Sequence, residues 1–400
     1  MDRLASQSHP AERLASKRSL TILYHHRTRS RDGQSVHIDA LIGAIREAGH
    51  QVIVVGPRQI AAKKESLNRR LLPRLAYELL EFSYNLIELW KLGSAVIRHK
   101  PAALYQRSNV FMLSGLWSAR LFGLPYLLEV NAPLAIERGK FGGLAWSRLA
   151  TWSEHTAWRG ADHVLVVSNV LAKELESARV SRSRIHVTPN GIDLSRLLPR
   201  DRNLAKQELG LGDALVLGFV GFVREWHGLD QIVDLLAIEP ALSKARFLII
   251  GDGPACPGLR AQAEHLKVID RVVVTGVVPH ERLPEYLSAI DVALQPEVTP
   301  YASPLKLFEY MAMGRAIVAP DGENIKEILE HEVDSLLFRS GDRHSLSDAI
   351  RRFAADEALR ARCGMAAARK VAERGLTWQR NAEKVLALIQ ETSRRKKHKV

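Results

Sequence analysis

The sequence of 400 residues has little cysteine and no long apolar run. Its two cysteines, Cys256 and Cys363, are too few for a disulfide framework and suit a reducing compartment. No apolar stretch approaches the roughly 20 residues that a membrane-spanning helix needs. The first 18 residues contain no apolar segment of signal-peptide length. These absences predict a cytoplasmic globular protein in which residues 1–18 form a disordered tail.

Motifs for metals, dinucleotides and nucleic acids are also missing. No histidines and cysteines have zinc-site spacing, the chain has no Asp-x-Asp triplet, and no G-x-G-x-x-G follows the first predicted strand. No helix-turn-helix, zinc-finger or RNP pattern occurs, although the net charge is +13. The sequence therefore predicts no metal, no cofactor and no nucleic-acid partner.

The positive charge is concentrated in two segments, residues 58–74 and 394–399. A helix predicted over residues 71–99 follows the first of them. This helix has two interpretations, a helix pair packed in the core or an amphipathic surface that rests on anionic lipid. The basic segments likewise either bind an anionic membrane, which would make the protein peripheral at the inner face of the plasma membrane, or only provide solubility.

Short apolar segments alternate with helical ones along the whole chain. Strand-like residues 19–24 and 51–55 flank a loop with Gly33 and a helix over residues 35–48. This strand–helix–strand unit is typical of parallel sheets, and similar units recur beyond about residue 204. The sequence therefore predicts an α/β fold with two doubly wound domains.

Residues 295–321 carry the clearest functional pattern, a loop followed by a helix and a buried strand. Ser303 is predicted to cap the helix, Pro304 to be its first residue, and Gly314 to end it. A helix N-terminus suits a phosphate group, Lys306 adds a cation one turn in, and Glu309 adds a carboxylate that can hold a diol. These are the parts of a nucleotide-sugar site, although a solvated amphipathic helix would show similar spacing.

The same stretch resembles the donor motif of retaining GT-B glycosyltransferases, the group 1 and family 4 clan related to glycogen and sucrose synthases. The clan's common form is E-x7-E, in which Glu309 matches the second glutamate and Tyr301 stands in place of the first. The variant S-P-x-K-x-F-E-Y-M resembles a bacterial subgroup that builds surface polysaccharides. The resemblance implies that Ser303, Pro304 and Leu305 contact the donor, and that Ser303, Pro304 and Lys306 replace part of the missing carboxylate's role.

Two further segments of the second half resemble the clan's donor site. In the clan, the loop after Gly221 carries an Arg and a Lys that neutralise the diphosphate. Phe222 and His227 stand at those two positions here, so Arg224 and Lys306 are expected to substitute, with His227 beside them. Backbone near Val278 corresponds to the segment that contacts the nucleobase. A solvated Arg224 is the alternative.

In the first half, the resemblance implies that the loop with Gly33 covers the donor diphosphate. It also implies that Glu129 and Asn131, after a predicted strand, face the reacting sugar and the acceptor. The His-Asp pair of many clan members is absent, and Glu137 also lies in this region, whereas His37 is a weaker candidate. Glu129 could instead be a carboxylate satisfied by backbone amides, and Gly33 a simple entry turn.

The resemblance implies a GT-B fold, with a cleft between two Rossmann-like domains at residues 19–200 and 201–376. A helix over residues 377–392 would cross back to the first domain, and residues 393–400 would form a disordered basic tail. The implied reaction is metal-independent, retaining transfer of a hexosyl group from a UDP- or GDP-sugar to a lipid-linked or polysaccharide acceptor. A nucleotide-sugar epimerase and a non-catalytic nucleotide-sugar binder remain the alternatives.

Overall fold

The computed structural model describes residues 19–29, 33–57, 73–141 and 143–397. Three predicted features lie wholly or partly outside the described residues. They are the tail at residues 1–18, residues 58–72 of the first basic segment, and residues 398–400 of the basic tail. Within the described parts of the chain, no helix is both long enough and apolar enough to cross a bilayer.

Two six-stranded parallel sheets form the frame of the molecule. The first sheet has the order β2-β1-β3-β4-β5-β6 and the second β12-β11-β10-β7-β8-β9. The strands are β1 Thr21–His25, β2 Gln51–Val55, β3 Ala103–Arg107, β4 Tyr126–Val130, β5 His163–Val166, β6 Ile185–Val187, β7 Val216–Val220, β8 Arg246–Ile250, β9 Val272–Val274, β10 Val292–Leu294, β11 Ala316–Pro320 and β12 Leu336–Phe338. In both sheets the order reverses beside the first strand, as in a doubly wound domain, which confirms the predicted α/β class and its two Rossmann-like domains.

Helices cover the sheets and connect successive strands. They are α1 Gly33–Glu47, α2 Arg74–His99, α3 Ser114–Leu121, α4 Leu134–Phe141, α5 Ser147–Gly160, α6 Asn169–Ser177, α7 Arg202–Glu208, α8 Asp230–Ile238, α9 Cys256–His265, α10 Leu283–Ser288, α11 Leu305–Ala312, α12 Glu323–Lys326, α13 Arg343–Ala355, α14 Glu357–Glu373 and α15 Trp378–Lys397. Single 3-10 turns occur at Arg182–Arg184, Glu225–His227, Pro240–Leu242, Ile269–Arg271 and His280–Arg282.

Each sheet is buried on both faces, because successive strand residues point to opposite sides. In β1, Ile22 and Tyr24 join an apolar cluster with α1 and α15, whereas Leu23 joins a second cluster with α2 and α3. The near-continuous apolar sequence of these strands follows from this double burial. Ligands are therefore expected at the carboxyl ends of the strands, where loops rather than helices meet the sheet.

Helix α15 returns the chain to the first sheet. Trp378, Val385 and Ile389 are buried in the cluster around α1, although they follow the second sheet in sequence. The helix continues to Lys397, beyond the predicted end at residue 392. Lys396 Nζ donates to the Leu124 carbonyl at 2.7 Å and pairs with Asp162 at 3.0 Å. These contacts fix the last turn, so residues 393–397 are helical where a disordered tail was predicted.

Helix α2 differs from the predicted pair of core helices. It is one helix of 26 residues, Arg74–His99. At 1.5 Å per residue it is about 39 Å long, more than twice the length of a five-residue strand of the adjacent sheet. Lys100 ends it with a left-handed φ of 45° and donates its N–H to the Val96 carbonyl.

Candidate functional site

Helix α11 begins one residue later than predicted and lacks the predicted cap. Pro304 occupies the cap position, and no side chain caps the helix. The Ser303 hydroxyl instead accepts the Asn190 N–H at 3.3 Å, and the Ser303 carbonyl accepts the Asn190 side-chain amide. The prediction of Ser303 as cap is wrong because its hydroxyl contacts the other half of the molecule. The first N–H groups of α11 are left without a side-chain cap, as an anion site requires.

The other end of α11 is as predicted. Gly314 has a φ of 62° and donates its N–H to the Met311 carbonyl at 2.9 Å. This left-handed glycine ends the helix. The Tyr310 hydroxyl accepts the Val220 N–H at 2.9 Å and so ties the middle of the helix to the end of β7. The helix is thereby fixed at the carboxyl edge of the second sheet.

Lys306 and Glu309 lie one turn apart on α11, beside Gly221. Lys306 Nζ is 3.9 Å from the centroid of the Phe219 ring, and a Cβ on Gly221 would lie 3.6 Å from the same nitrogen. Gly221 has a φ of 129°, which side-chain-bearing residues rarely adopt. Burial lowers the pKa of Lys306 to about 7 and raises the pKa of Glu309 to about 7, while the charge of each opposes the other's shift. Perturbed pairs of this kind are typical of functional sites.

Arg224 and His227 occupy the loop after Gly221. The Arg224 guanidinium carbon lies 4.8 Å from the Phe222 ring centroid and 4.7 Å from that of Trp226. His227 Nδ1 accepts the Arg224 N–H at 3.1 Å. Burial, followed by the charges of Lys306 and Arg224, lowers the pKa of His227 to about 3. His227 is therefore neutral in this structure, and the two neighbouring cations that lower its pKa are Lys306 and Arg224.

Val278 lies further along the same edge of the second sheet. It follows β9 and packs, half-buried, against the apolar cluster that contains α11. The loops after β7 and β8 touch, since a Cβ on Gly251 would lie 2.1 Å from the Gly221 carbonyl oxygen. The structure thus brings Gly221 and Lys306 together and leaves Val278 two strands away from β7.

In the first half, Glu129 at the end of β4 is enclosed by polar side chains. Its carboxylate accepts from the Tyr105 hydroxyl at 2.7 Å, pairs with His37 Nε2 at 3.0 Å, and contacts Arg107 and Asn131. Burial raises its pKa, but His37 and Arg107 outweigh burial and hold the pKa well below the usual range. Glu129 is thus ionised and held by side chains, not by the backbone amides of the alternative interpretation.

Tyr105 and Arg107 are site residues that sequence patterns do not predict. Both lie on β3, two residues apart and therefore on one face, and Arg107 is in register with Glu129 on β4. Polar residues at the carboxyl ends of two strands were the available signal, but the pairing of β3 with β4 had to be known first. His37 was considered a weak candidate, yet it contacts Glu129 directly.

Hydrogen bonds connect this carboxylate to helix α11. His37 Nδ1 lies 2.7 Å from the Asn190 side-chain oxygen, and Asn190 contacts Ser303 as described above. A Cβ on Gly33 would lie 3.6 Å from Leu305 Cδ1, and Leu305 packs against the cluster around α1. The two halves therefore meet where the predicted residues of both sheets converge.

Tyr301, which replaces the first motif glutamate, also joins the two halves. Its carbonyl accepts the Ser168 hydroxyl at 2.8 Å. Burial and the hydrogen-bonded Glu137 carboxylate raise the pKa of the Tyr301 hydroxyl. The residue thus contacts α4 of the first half, where a carboxylate would meet Glu137 with like charge.

No group of three histidine, cysteine, aspartate or glutamate side chains within the described ranges is placed to hold a metal ion. Lys306 and Glu309 lie on α11 itself, and Arg224 lies in the neighbouring loop after Gly221.

Comparison with known proteins identifies the family of the chain. Residues 31–196 match the family model described as Glycosyltransferase Family 4, and residues 214–356 match the model described as Glycosyl transferases group 1. Together the two matches span most of the chain, one for each sheet. The chain therefore belongs to the GT-B glycosyltransferases, with a family 4 domain in its first half and a group 1 domain in its second.

Among curated relatives, alpha-D-kanosaminyltransferase of Streptomyces kanamyceticus is 23% identical over 343 residues, which is 79% of this chain and 88% of that protein. A D-inositol 3-phosphate glycosyltransferase of Nocardia farcinica is 30% identical over 239 residues, 56% of this chain and 52% of that protein.

Among solved structures, Anabaena HepE in complex with UDP aligns with a TM-score of 0.73 at 17% identity, covering 93% of this chain and 100% of that chain. WaaG, a glycosyltransferase involved in lipopolysaccharide biosynthesis, aligns with a TM-score of 0.68 at 14% identity, covering 92% and 99%. These likenesses confirm the GT-B fold.

Proposed function

We propose that the protein is a retaining glycosyltransferase that moves a hexosyl group from a UDP- or GDP-sugar to an acceptor, without a metal ion. The observation that carries this proposal is the pair of half-buried Lys306 and buried Glu309 on α11, directly beside the glycine turn after β7. In this proposal residues 201–376 hold the donor, and residues 19–200 face the acceptor.

Each group around α11 has a defined part in donor binding. Glu309 accepts hydrogen bonds from the ribose hydroxyls, while Lys306 and Arg224 neutralise the diphosphate. The diphosphate also accepts from the backbone N–H groups of Ser303 and Leu305, and Pro304 between them sets the entry to the helix. Gly221 and Gly33 allow backbone to approach the phosphates, and backbone near Val278 contacts the base. Cations and a helix N-terminus stabilise the leaving nucleoside diphosphate in a cleft that excludes water.

The reaction itself needs no protein nucleophile. The bond from the sugar C1 to the leaving phosphate oxygen breaks, and the acceptor oxygen forms its bond to C1 on the same face. The acceptor proton passes to the departing phosphate. Glu129, held by Arg107 and Tyr105, fixes the orientation of His37, and Asn131 lies beside it at the edge that faces the sugar.

Nucleotide binding is the first test. Selective binding of UDP, GDP or ADP raises the melting temperature by mass action. The HepE structures with UDP, with UDP and glucose, and with UDP-glucose support uridine nucleotides as the first choice. We expect a rise of several degrees with one nucleotide, equal with and without magnesium. No rise with any nucleotide would contradict the donor site, and a rise that needs magnesium would contradict a metal-free site.

The acceptor is proposed to be a lipid-linked sugar or a growing surface polysaccharide. The fold likeness to WaaG and to the galactosyltransferase WaaB of the lipopolysaccharide outer core supports this choice. Incubation with the selected sugar nucleotide, with and without an undecaprenyl-diphosphate-linked sugar, separates the alternatives. Acceptor-dependent transfer with retained anomeric configuration is expected. Conversion of the donor without acceptor would indicate an epimerase, and binding without turnover would indicate a non-catalytic binder.

A further inference from the structure

Helix α2 has an inverted arrangement of polar and apolar side chains. Glu78, Asn85 and Glu88 are among its few buried residues, whereas most of its large apolar side chains face outward. A helix that packs on a soluble core normally shows the opposite pattern. The outward apolar side chains therefore need an explanation other than packing within the described fold.

All three glutamates of α2 form hydrogen bonds or ion pairs with residues outside the helix. Glu78 accepts the Ala145 and Trp146 N–H groups at the start of α5, at 3.0 and 2.8 Å. Glu88 pairs with Arg27 at 2.6 Å, and half-buried Glu81 pairs with Arg138 at 2.8 Å. None of the acidic side chains on α2 is exposed, so the outward side carries no negative charge of its own.

The outward apolar side chains form one continuous strip, which we name the outer face of α2. It consists of Leu75, Leu79, Leu86, Trp90 and Ile97. These residues are four or seven positions apart, so they lie within about 60° of the helix circumference and span about 33 Å. Trp90 is 72% exposed, Ile97 70% and Leu86 66%. A contiguous strip of this size on a monomer marks an interaction site.

The exposed charges beside the outer face are all positive. Arg74, Lys91 and Arg98 are the exposed charged residues of α2, and exposed Lys100 follows its end. Two copies of this chain that met through the outer face would bring these cations together, which disfavours a dimer. Leucine and tryptophan flanked by lysine and arginine suit the interface of an anionic bilayer.

The geometry points to docking of the protein on anionic phospholipid through the outer face of α2. The middle of this helix, from Glu81 to Glu88, packs beside Arg27, which follows β1, and beside Arg138 of α4. These contacts place it at the carboxyl edge of the first sheet, the edge that holds Glu129. Docking there sets the acceptor side of the cleft against the bilayer. This inference goes beyond the proposed transfer reaction and can be tested without any sugar.

The test is vesicle co-sedimentation of the full chain with phosphatidylcholine vesicles that contain or lack 30 mol% phosphatidylglycerol. We expect binding only with the anionic lipid, weakened by salt, and at least tenfold weaker for Leu86→Glu/Trp90→Glu. The matched control is Ile238→Glu/Met365→Glu, which changes two equally exposed apolar residues of the second half. Unchanged binding of the α2 variant, or no binding of the parent protein, would overturn the inference.

A fluorophore on Leu86→Cys identifies what covers the outer face, because both native cysteines are buried. A blue shift that appears only with anionic vesicles is expected, with no shift for Ile238→Cys. A blue-shifted signal before lipid is added would show that another part of the chain or a second copy already covers the face, and would contradict lipid docking. Sedimentation velocity then separates these two cases. The rise in melting temperature with UDP is expected to be the same in these variants as in the parent protein. A failure of lipid docking can therefore be told apart from a failure of the donor site.

Discussion

At the scale of single residues, burial sets the chemistry of the site. Lys306 and Glu309 are close enough in sequence to share one side of α11, where Glu309 is buried and Lys306 half-buried. Removal from water disfavours each charged form, which brings both pKa values near neutrality. A bound diphosphate would restore the charge of Lys306, so the site is prepared to take up a proton together with its ligand.

Glu309→Gln tests the carboxylate with almost no change of shape. The amide cannot accept two charge-assisted hydrogen bonds from ribose, and a lost bond of this kind costs about 2–3 kcal/mol. We expect kcat/KM to fall roughly 30- to 150-fold, which corresponds to that energy. Steady-state assays with the selected sugar nucleotide measure it. The control is Glu323→Gln, a change at an exposed residue of α12. Equal activity of the two variants would contradict a role of Glu309 in donor binding.

The pH dependence of nucleotide affinity tests Lys306. The pKa of Lys306 is about 7 in the unliganded protein, and a bound diphosphate raises it. Above pH 7, nucleotide binding is therefore coupled to uptake of a proton by Lys306. Affinity for UDP or GDP should be highest below pH 7 and fall by up to tenfold per pH unit above it. Isothermal titration between pH 6 and 9 measures this slope. Lys306→Met should bind more weakly at pH 6 and lose most of the slope; a slope that survives the change would assign the proton to another group.

At the scale of elements, buried ion pairs hold the long helix α2 to the first sheet. Burial raises the pKa of Glu88, but His25 and Arg27 outweigh it and lower the pKa to about 2. The bonds to Arg27 and Ser114 are 2.6 and 2.8 Å long. Because the native pKa is depressed, this stabilisation is present above about pH 4.5 and is lost as the pH falls toward 2.

Glu88→Ala should destabilise the protein by about 3–5 kcal/mol, because it leaves Arg27 buried and unpaired. Urea unfolding at pH 7 gives the change in free energy. The double variant Arg27→Met/Glu88→Leu removes both charges and should recover most of the loss. If the double variant were as unstable as Glu88→Ala, the loss would come from packing and not from the unpaired charge.

Sequence patterns were most informative about individual helices and strands. Strand and helix periodicity in each half is local, so it predicts the two doubly wound sheets and the end of α11 at Gly314. Ser303 does not form the predicted cap, because Asn190, 113 residues earlier, binds its hydroxyl. Likewise, nothing near Glu129 in sequence indicates that His37 and Arg107 surround it. Contacts between distant strands decide these roles, and periodicity does not report them.

At the scale of the whole molecule, the two halves contact each other both beside the candidate site and away from it. Asn190 joins His37 to Ser303 next to α11, whereas Glu327 accepts the Asn169 N–H at 2.8 Å at the start of α6. Both contacts hold the halves together, but only the first touches the candidate site. Variants at these two contacts therefore distinguish a loss of contact between the halves from a misplacement of groups within the candidate site.

Asn190→Ala and Glu327→Ala should lower the melting temperature by similar small amounts. Asn190→Ala alone should reduce kcat/KM, by about tenfold, because misplaced groups cost rate even far from the reacting atoms. Parallel thermal unfolding and steady-state assays provide both readouts. Equal losses of activity in the two variants would mean that Asn190 acts only by holding the halves together.

The return of α15 to the first sheet also affects how the protein folds as it leaves the ribosome. Trp378, Val385 and Ile389 complete a core whose other members were made more than 180 residues earlier. Domains usually fold in the order in which they are synthesised. Here the first domain stays incomplete, with apolar surface uncovered, until the second domain has emerged. A chain that is cut short before α15 therefore lacks part of the core of its first domain, so we expect activity only after α15 has been made.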